Sequence, residues 1–84
     1  MPTAYALINC DVNSEEEIIN ELKKLPAVVE VSGVYGAYDI IAKLRSDTMD
    51  KLRETITLDV RKIDKIKSSL TMIVTENQGK QNRE

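Results

Sequence analysis

The chain has 84 residues, twelve Lys and Arg against fourteen Asp and Glu, one cysteine and no histidine. A domain this small buries only about 60% of the surface its unfolded chain exposes, a single cysteine excludes an intrachain disulfide framework, and the lack of histidine removes the commonest metal ligand and general base. The net charge of −2 argues against a nucleic-acid surface, which depends on neutralising phosphates, and no apolar run approaches the roughly 20 residues of a membrane span.

Met1-Pro2-Thr3 leads straight into an apolar run with neither a cationic start nor a cleavage site, so a cytoplasmic protein is expected. Residues 3–10 (TAYALINC), bounded by Asp11, read as a first strand. Ser14-Glu15-Glu16-Glu17 matches a capping box, in which the serine accepts from a backbone N–H three residues on and the glutamate reaches back. A first helix follows, with Ile18, Leu22 and Leu25 on one stripe, and Pro26 ends it. Residues 27–35 and 38–45 are rich in β-formers and read as a hairpin joined through Gly36-Ala37. Asp47 or Thr48 can cap a second helix, a long one, in which Met49, Leu52, Ile56, Val60 and Ile63 recur at spacings of three and four. Residues 66–75 supply a fourth strand, and the polar residues from 76 or 77 to 84 read as a frayed tail, leaving one folded domain over 1–76.

The order βαββαβ fits an α+β, ferredoxin-like plait: a four-stranded antiparallel sheet with both helices on one face. Alternation places Ala4, Ala6, Ile8 and Cys10 on one side of the first strand and Tyr5 and Leu7 on the other; in the third strand, Ile41 opposes Tyr38, Ile40, Ala42 and Leu44. Both faces are thus substantially apolar, yet two helices cover only one. The economical cover for the second face is another copy of the chain, packed sheet on sheet, so a dimer is expected.

The element order, the Gly-Ala-Tyr-Asp at 36–39 and the closing pattern Ile66-x-x-Ser69-x-Thr71-x-Ile73-Val74 resemble the ligand-binding and oligomerisation domain of the Lrp/AsnC transcription regulators. The resemblance covers about residues 3–76. Ser69 stands where the family usually has the first threonine of a Thr-x-Thr pattern, and Asp64 where it often has a glycine before the last strand. Family regulators carry a helix-turn-helix segment ahead of this region, so the resemblance is to that domain standing alone, without direct DNA contact. It implies dimers that assemble further, commonly as a tetramer of dimers, with an amino-acid effector bound between dimers. One way such a module could act is by co-assembling with a full-length Lrp/AsnC regulator, and no cofactor is expected.

The family positions that carry over are Gly36, Tyr38, Asp39, Ser69 and Thr71, with Met72 beside them. Their chemistry suits a zwitterion. Gly36 lets backbone approach a ligand, Asp39 can accept from an ammonium, the hydroxyls of Ser69 and Thr71 can donate to a carboxylate, and Tyr38 and Met72 can form an apolar wall. Plainer roles stand beside these. Gly36 can simply supply a turn glycine, Asp39 can cap the turn, Tyr38 can be core or dimer interface, and the two hydroxyls can be solvated. Cys10, with no cation next to it in sequence, reads as an inert strand residue. The alternatives to a non-catalytic sensor are a small dimeric ferredoxin-like barrel enzyme, disfavoured by the missing histidine, and a purely structural assembly module.

Overall fold

A computed structural model describes residues 1–75; the polar tail expected over 77–84 lies outside the described residues. Four strands, β1 (Thr3–Cys10), β2 (Val28–Gly33), β3 (Ile40–Arg45) and β4 (Ile66–Ile73), form one sheet in the order β2-β3-β1-β4, with every neighbouring pair antiparallel. Helix α1 (Glu15–Lys23) connects β1 to β2, and α2 begins at Met49–Glu54 between β3 and β4. No helix among the described residues is long and apolar enough to cross a membrane.

The core lies on one side of this sheet. Ala4, Ala6, Ile8 and Cys10 of β1 and Ile40, Ala42 and Leu44 of β3 are buried with Ile18 and Leu22 of α1 and Leu52 of α2. The register Ala4↔Leu44, Ala6↔Ala42, Ile8↔Ile40 places three alanines on the buried side of the central pair. Both helices therefore cover the same face, as the βαββαβ order predicts. On the other face, Tyr5, Leu7 and Ile41 are only half-buried, and Leu70 and Met72 are each 48% exposed.

Three local expectations need correction. Ser14 does precede α1, but its side chain makes no capping hydrogen bond. With ψ near 1° it lies outside the extended conformation from which a cap oxygen reaches the first turn. Its N–H instead donates to the Asp11 carbonyl (3.1 Å), and Glu17 turns outward to Lys65 Nζ (3.0 Å). The strands flanking the hairpin turn are also shorter than expected: β2 stops at Gly33 and β3 starts at Ile40. Finally, α2 is capped by Thr48, whose Oγ1 accepts from Lys51 N–H at 3.1 Å, but it keeps α geometry only to Glu54; Thr55–Val60 continue as a π-helix. The successive spacing of four from Leu52 to Ile56 to Val60 exceeds the α repeat of 3.6, and the wider turn keeps Val60 buried.

At the start of β4 the left-handed backbone falls on Lys65 (φ 73°), one residue after Asp64, where sequence resemblance places a glycine. The carbonyl of Lys65 accepts from Asp11 N–H (2.9 Å), which ties this turn to the end of β1. Leu52 joins α2 to the core and is fully buried. Leu52→Ala is expected to lower the unfolding free energy by about 3 kcal/mol, read from the urea midpoint at constant m-value.

Candidate functional site

The segment between β2 and β3 is closed by backbone bonds at its base. Val34 N–H donates to the Asp39 carbonyl (2.8 Å), and Asp39 N–H donates to the Ile8 carbonyl (3.0 Å) on β1. Gly36 adopts φ +137°, a conformation L side chains rarely take, and a Cβ placed there meets nothing within 4 Å. The turn thus demands glycine for its backbone and not for room. Tyr35 stands fully exposed at the tip, whereas Tyr38 and Asp39 are half-buried where the chain rejoins the sheet.

The carboxylate of Asp39 has a partner inside the chain. Its Oδ2 accepts from Cys10 N–H at 3.1 Å and faces Cys10 Sγ at 3.8 Å. The contact fastens the end of β1 at the point where its pairing with β4 is interrupted by the irregularity between Asn9 and Cys10. Burial pushes the Cys10 thiol above its usual range, and the neighbouring Asp39 and Glu15 carboxylates push it further the same way. Cys10 is thus held as the neutral thiol, as its sequence context led us to expect.

Strand β4 carries the other candidates. Residues directly opposite in an antiparallel pair share a face. Ser69 opposes Ile8 and Thr71 opposes Ala6, so both hydroxyls lie on the helix-covered side, at the edge of the sheet. Ser69 is exposed and Thr71 half-buried, and neither side chain bonds to another described residue. Met72 opposes Tyr5 and lies on the open face, away from Ser69 and Thr71.

Gly36, Tyr38 and Asp39 thus share one turn, and Ser69 and Thr71 share one side of an edge strand, but β1 stands between the groups. The β3 and β4 backbones are two strand spacings apart, about 10 Å, and the Asp39 carboxylate, turned onto Cys10 N–H, sits against β1 between them. The prominent cavities lie elsewhere. One of about 360 Å³ runs between α1 and the π-helical segment, over Leu25 and Ile63 with Glu17, Glu21, Asp59 and Lys62 at its rim. Another of about 600 Å³, lined by Met1, Pro2, Met49, Ile73 and Val74, adjoins the last residues of β4. Sequence reasoning missed both grooves and the Asp39–Cys10 contact, because each joins residues far apart in the chain.

Comparison with known proteins matches this plait and its turn to one family. The family model described as Lrp/AsnC ligand binding domain matches residues 3–83. The chain belongs to the Lrp/AsnC ligand-binding domain family. The HTH-type transcriptional regulator FL11 of Pyrococcus furiosus is 31% identical over 71 residues, covering 84% of this chain and 46% of the regulator. The chain spans about half the length of the curated relatives it matches. A crystal structure of the hypothetical protein PHS023 from Pyrococcus horikoshii is 35% identical with a TM-score of 0.84, covering 98% of this chain and 100% of that one. The transcriptional regulator NMB0573 from Neisseria meningitidis, solved as a complex with L-Met, shares the fold alone, at 12% identity and a TM-score of 0.78, over 90% of this chain and 51% of that one.

Within this Lrp/AsnC domain the Asp39 carboxylate carries a testable structural load. Asp39→Ala strands the Cys10 N–H and is expected to lower stability by about 1–3 kcal/mol, whereas Asp39→Asn keeps an acceptor and loses less, measured by urea unfolding. The thiol contributes a pH dependence of defined sign. Because the folded Cys10 titrates above the ordinary 9.0, the unfolded chain releases its proton first. Stability is therefore intact below about pH 9 and declines as pH rises beyond it. Cys10→Ala should remove that component of the decline in unfolding midpoints taken between pH 8 and 10.5.

Proposed function

We propose that this domain is a non-catalytic sensing and assembly module, which binds a small amino-acid effector between dimers and thereby alters how copies associate. The observation that carries the proposal is the separation of the candidate groups. The turn bearing Gly36, Tyr38 and Asp39 and the hydroxyls of Ser69 and Thr71 are each displayed at the surface, but they are held apart by β1. In this reading, a site using both is completed when different copies supply the two halves. Membership of the Lrp/AsnC ligand-binding family supports the reading, as does the L-Met bound to the NMB0573 regulator of the same fold.

The open sheet face supplies the first level of assembly. Tyr5, Leu7, Ile41, Leu70 and Met72 form an apolar patch on the side the helices leave bare, with Lys43 and Glu30 paired across strands beside it. A second copy placed on it gives this small domain the additional core it lacks. Met72 acts there, in the dimer, and not beside Ser69 and Thr71. Effector bound across the next interface, between dimers, shifts the population toward the assembled form by its differential affinity for that form. A full-length Lrp/AsnC regulator is the partner through which such a shift reaches DNA.

One observation favours a second reading. Asp39 Oδ2 is already engaged by Cys10 N–H, and Gly36 is explained by its backbone alone. A purely structural assembly module needs no more than this. A panel of the twenty amino acids at millimolar concentration, followed by thermal shift and light scattering, separates the two. The sensor reading expects at least one amino acid to raise the melting temperature, by an amount corresponding to about 2.7 kcal/mol at one hundred times its Kd, and to shift the mass distribution. Thr71→Val should abolish that response, and Leu7→Lys should yield monomers. Indifference to all twenty amino acids leaves the assembly module as the function.

A further inference from the structure

The π-helical stretch Thr55–Val60 is six residues long, and such closure is rare beyond single turns. A wheel projection shows what it achieves. On a continuous α-helix, at about 100° per residue, Leu52, Ile56, Asp59 and Ile63 fall within roughly 60° of one another, and Val60 lies about 80° from Leu52. The regular helix would therefore carry Asp59 into the core. With i→i+5 closure from Thr55, at roughly 82° per residue, Val60 returns to within about 10° of Leu52 and Asp59 swings about 90° away.

Burial follows the second geometry. Leu52 is 0% and Val60 4% exposed, Asp59 is half-buried at the rim of the groove facing α1, and Leu58 points outward. The local sequence holds the α form less strongly than straight-chain residues would. Thr55, Ile56, Thr57 and Val60 are β-branched, and the Thr57 hydroxyl donates to the Arg53 carbonyl at 2.9 Å, at the junction between the two helical forms.

We propose that Thr55–Val60 is a one-residue register device, able to close as π with Val60 in the core or as α with residue 59 in the core, and that the polarity of Asp59 holds it in the π form. Placing a carboxylate between Leu52 and Ile63, without a cation on that apolar stripe, is more unfavourable than the wider turn. The two registers differ at the surface. In the π form Asp59 belongs to the groove wall with Glu17, Glu21, Lys24, Lys62 and Asp64; in the α form it is withdrawn. The turn over 61–64 absorbs the change, since the Lys65 carbonyl is held by Asp11 N–H. Any cation that pairs with Asp59 in the groove therefore favours the π register.

Through-hydrogen-bond NMR couplings on the whole chain read the register directly. In the native sequence the Val60 amide should couple to the Thr55 carbonyl, and Asp59→Glu should preserve that coupling. In Asp59→Leu the Val60 amide should couple instead to the Ile56 carbonyl. Deleting Leu58 moves Val60 into the position Asp59 occupies and should likewise give i→i+4 closure, an independent check if Asp59→Leu folds poorly. A folded Asp59→Leu or Leu58-deleted chain that keeps i→i+5 closure overturns the proposal, as does i→i+4 closure in the native sequence.

Discussion

Everything in this small domain follows from a sheet with two apolar faces and helices enough for only one. The buried side, Ala4, Ala6, Ile8, Ile40, Ala42 and Leu44, is closed by Ile18, Leu22 and Leu52. The other side presents Tyr5, Leu7, Ile41, Leu70 and Met72. An antiparallel sheet can face water on one side, but it then alternates apolar with polar residues, and here the outward positions of the two central strands include tyrosine, leucine and isoleucine. That surplus is the physical basis of the assembly proposed above. Membership of the Lrp/AsnC ligand-binding family is consistent with that proposal.

Asp39 shows how one residue can fasten the fold at three points. Its backbone closes the hairpin turn, its N–H joins β1, and its Oδ2 caps the final N–H of β1 at Cys10. The base of the turn is thereby fastened to the sheet, with Tyr35 and Gly36 projecting. Whichever role the free carboxylate oxygen takes, the residue's first task is structural, which is why Asp39→Asn is a cleaner probe than Asp39→Ala.

The second helix illustrates a conflict between local pattern and core geometry. Its apolar residues recur at three and four, as an amphipathic helix requires, yet Asp59 occupies the place on the stripe where a regular helix needs an apolar side chain. The chain resolves this by widening its last turns, at the expense of α hydrogen-bond geometry, and so keeps both Val60 buried and Asp59 at the surface.

From the sequence by itself came the four strands, the two helices, their order and the two-faced sheet, because period-two and near-3.6 patterns are written in neighbouring residues. It also pointed to Thr48 as a possible cap and to 36–39 as a turn. Tertiary structure alone decided where the side chains meet. The Asp39–Cys10 bond spans 29 residues, Ser69 and Thr71 are parted from the turn by an intervening strand, and Met72 falls on the opposite face from both. The π register, too, depends on which side of the helix the core lies. These are consequences of register and packing between distant segments, which no local pattern encodes, and they set the candidate groups of the turn and of β4 on different parts of the fold.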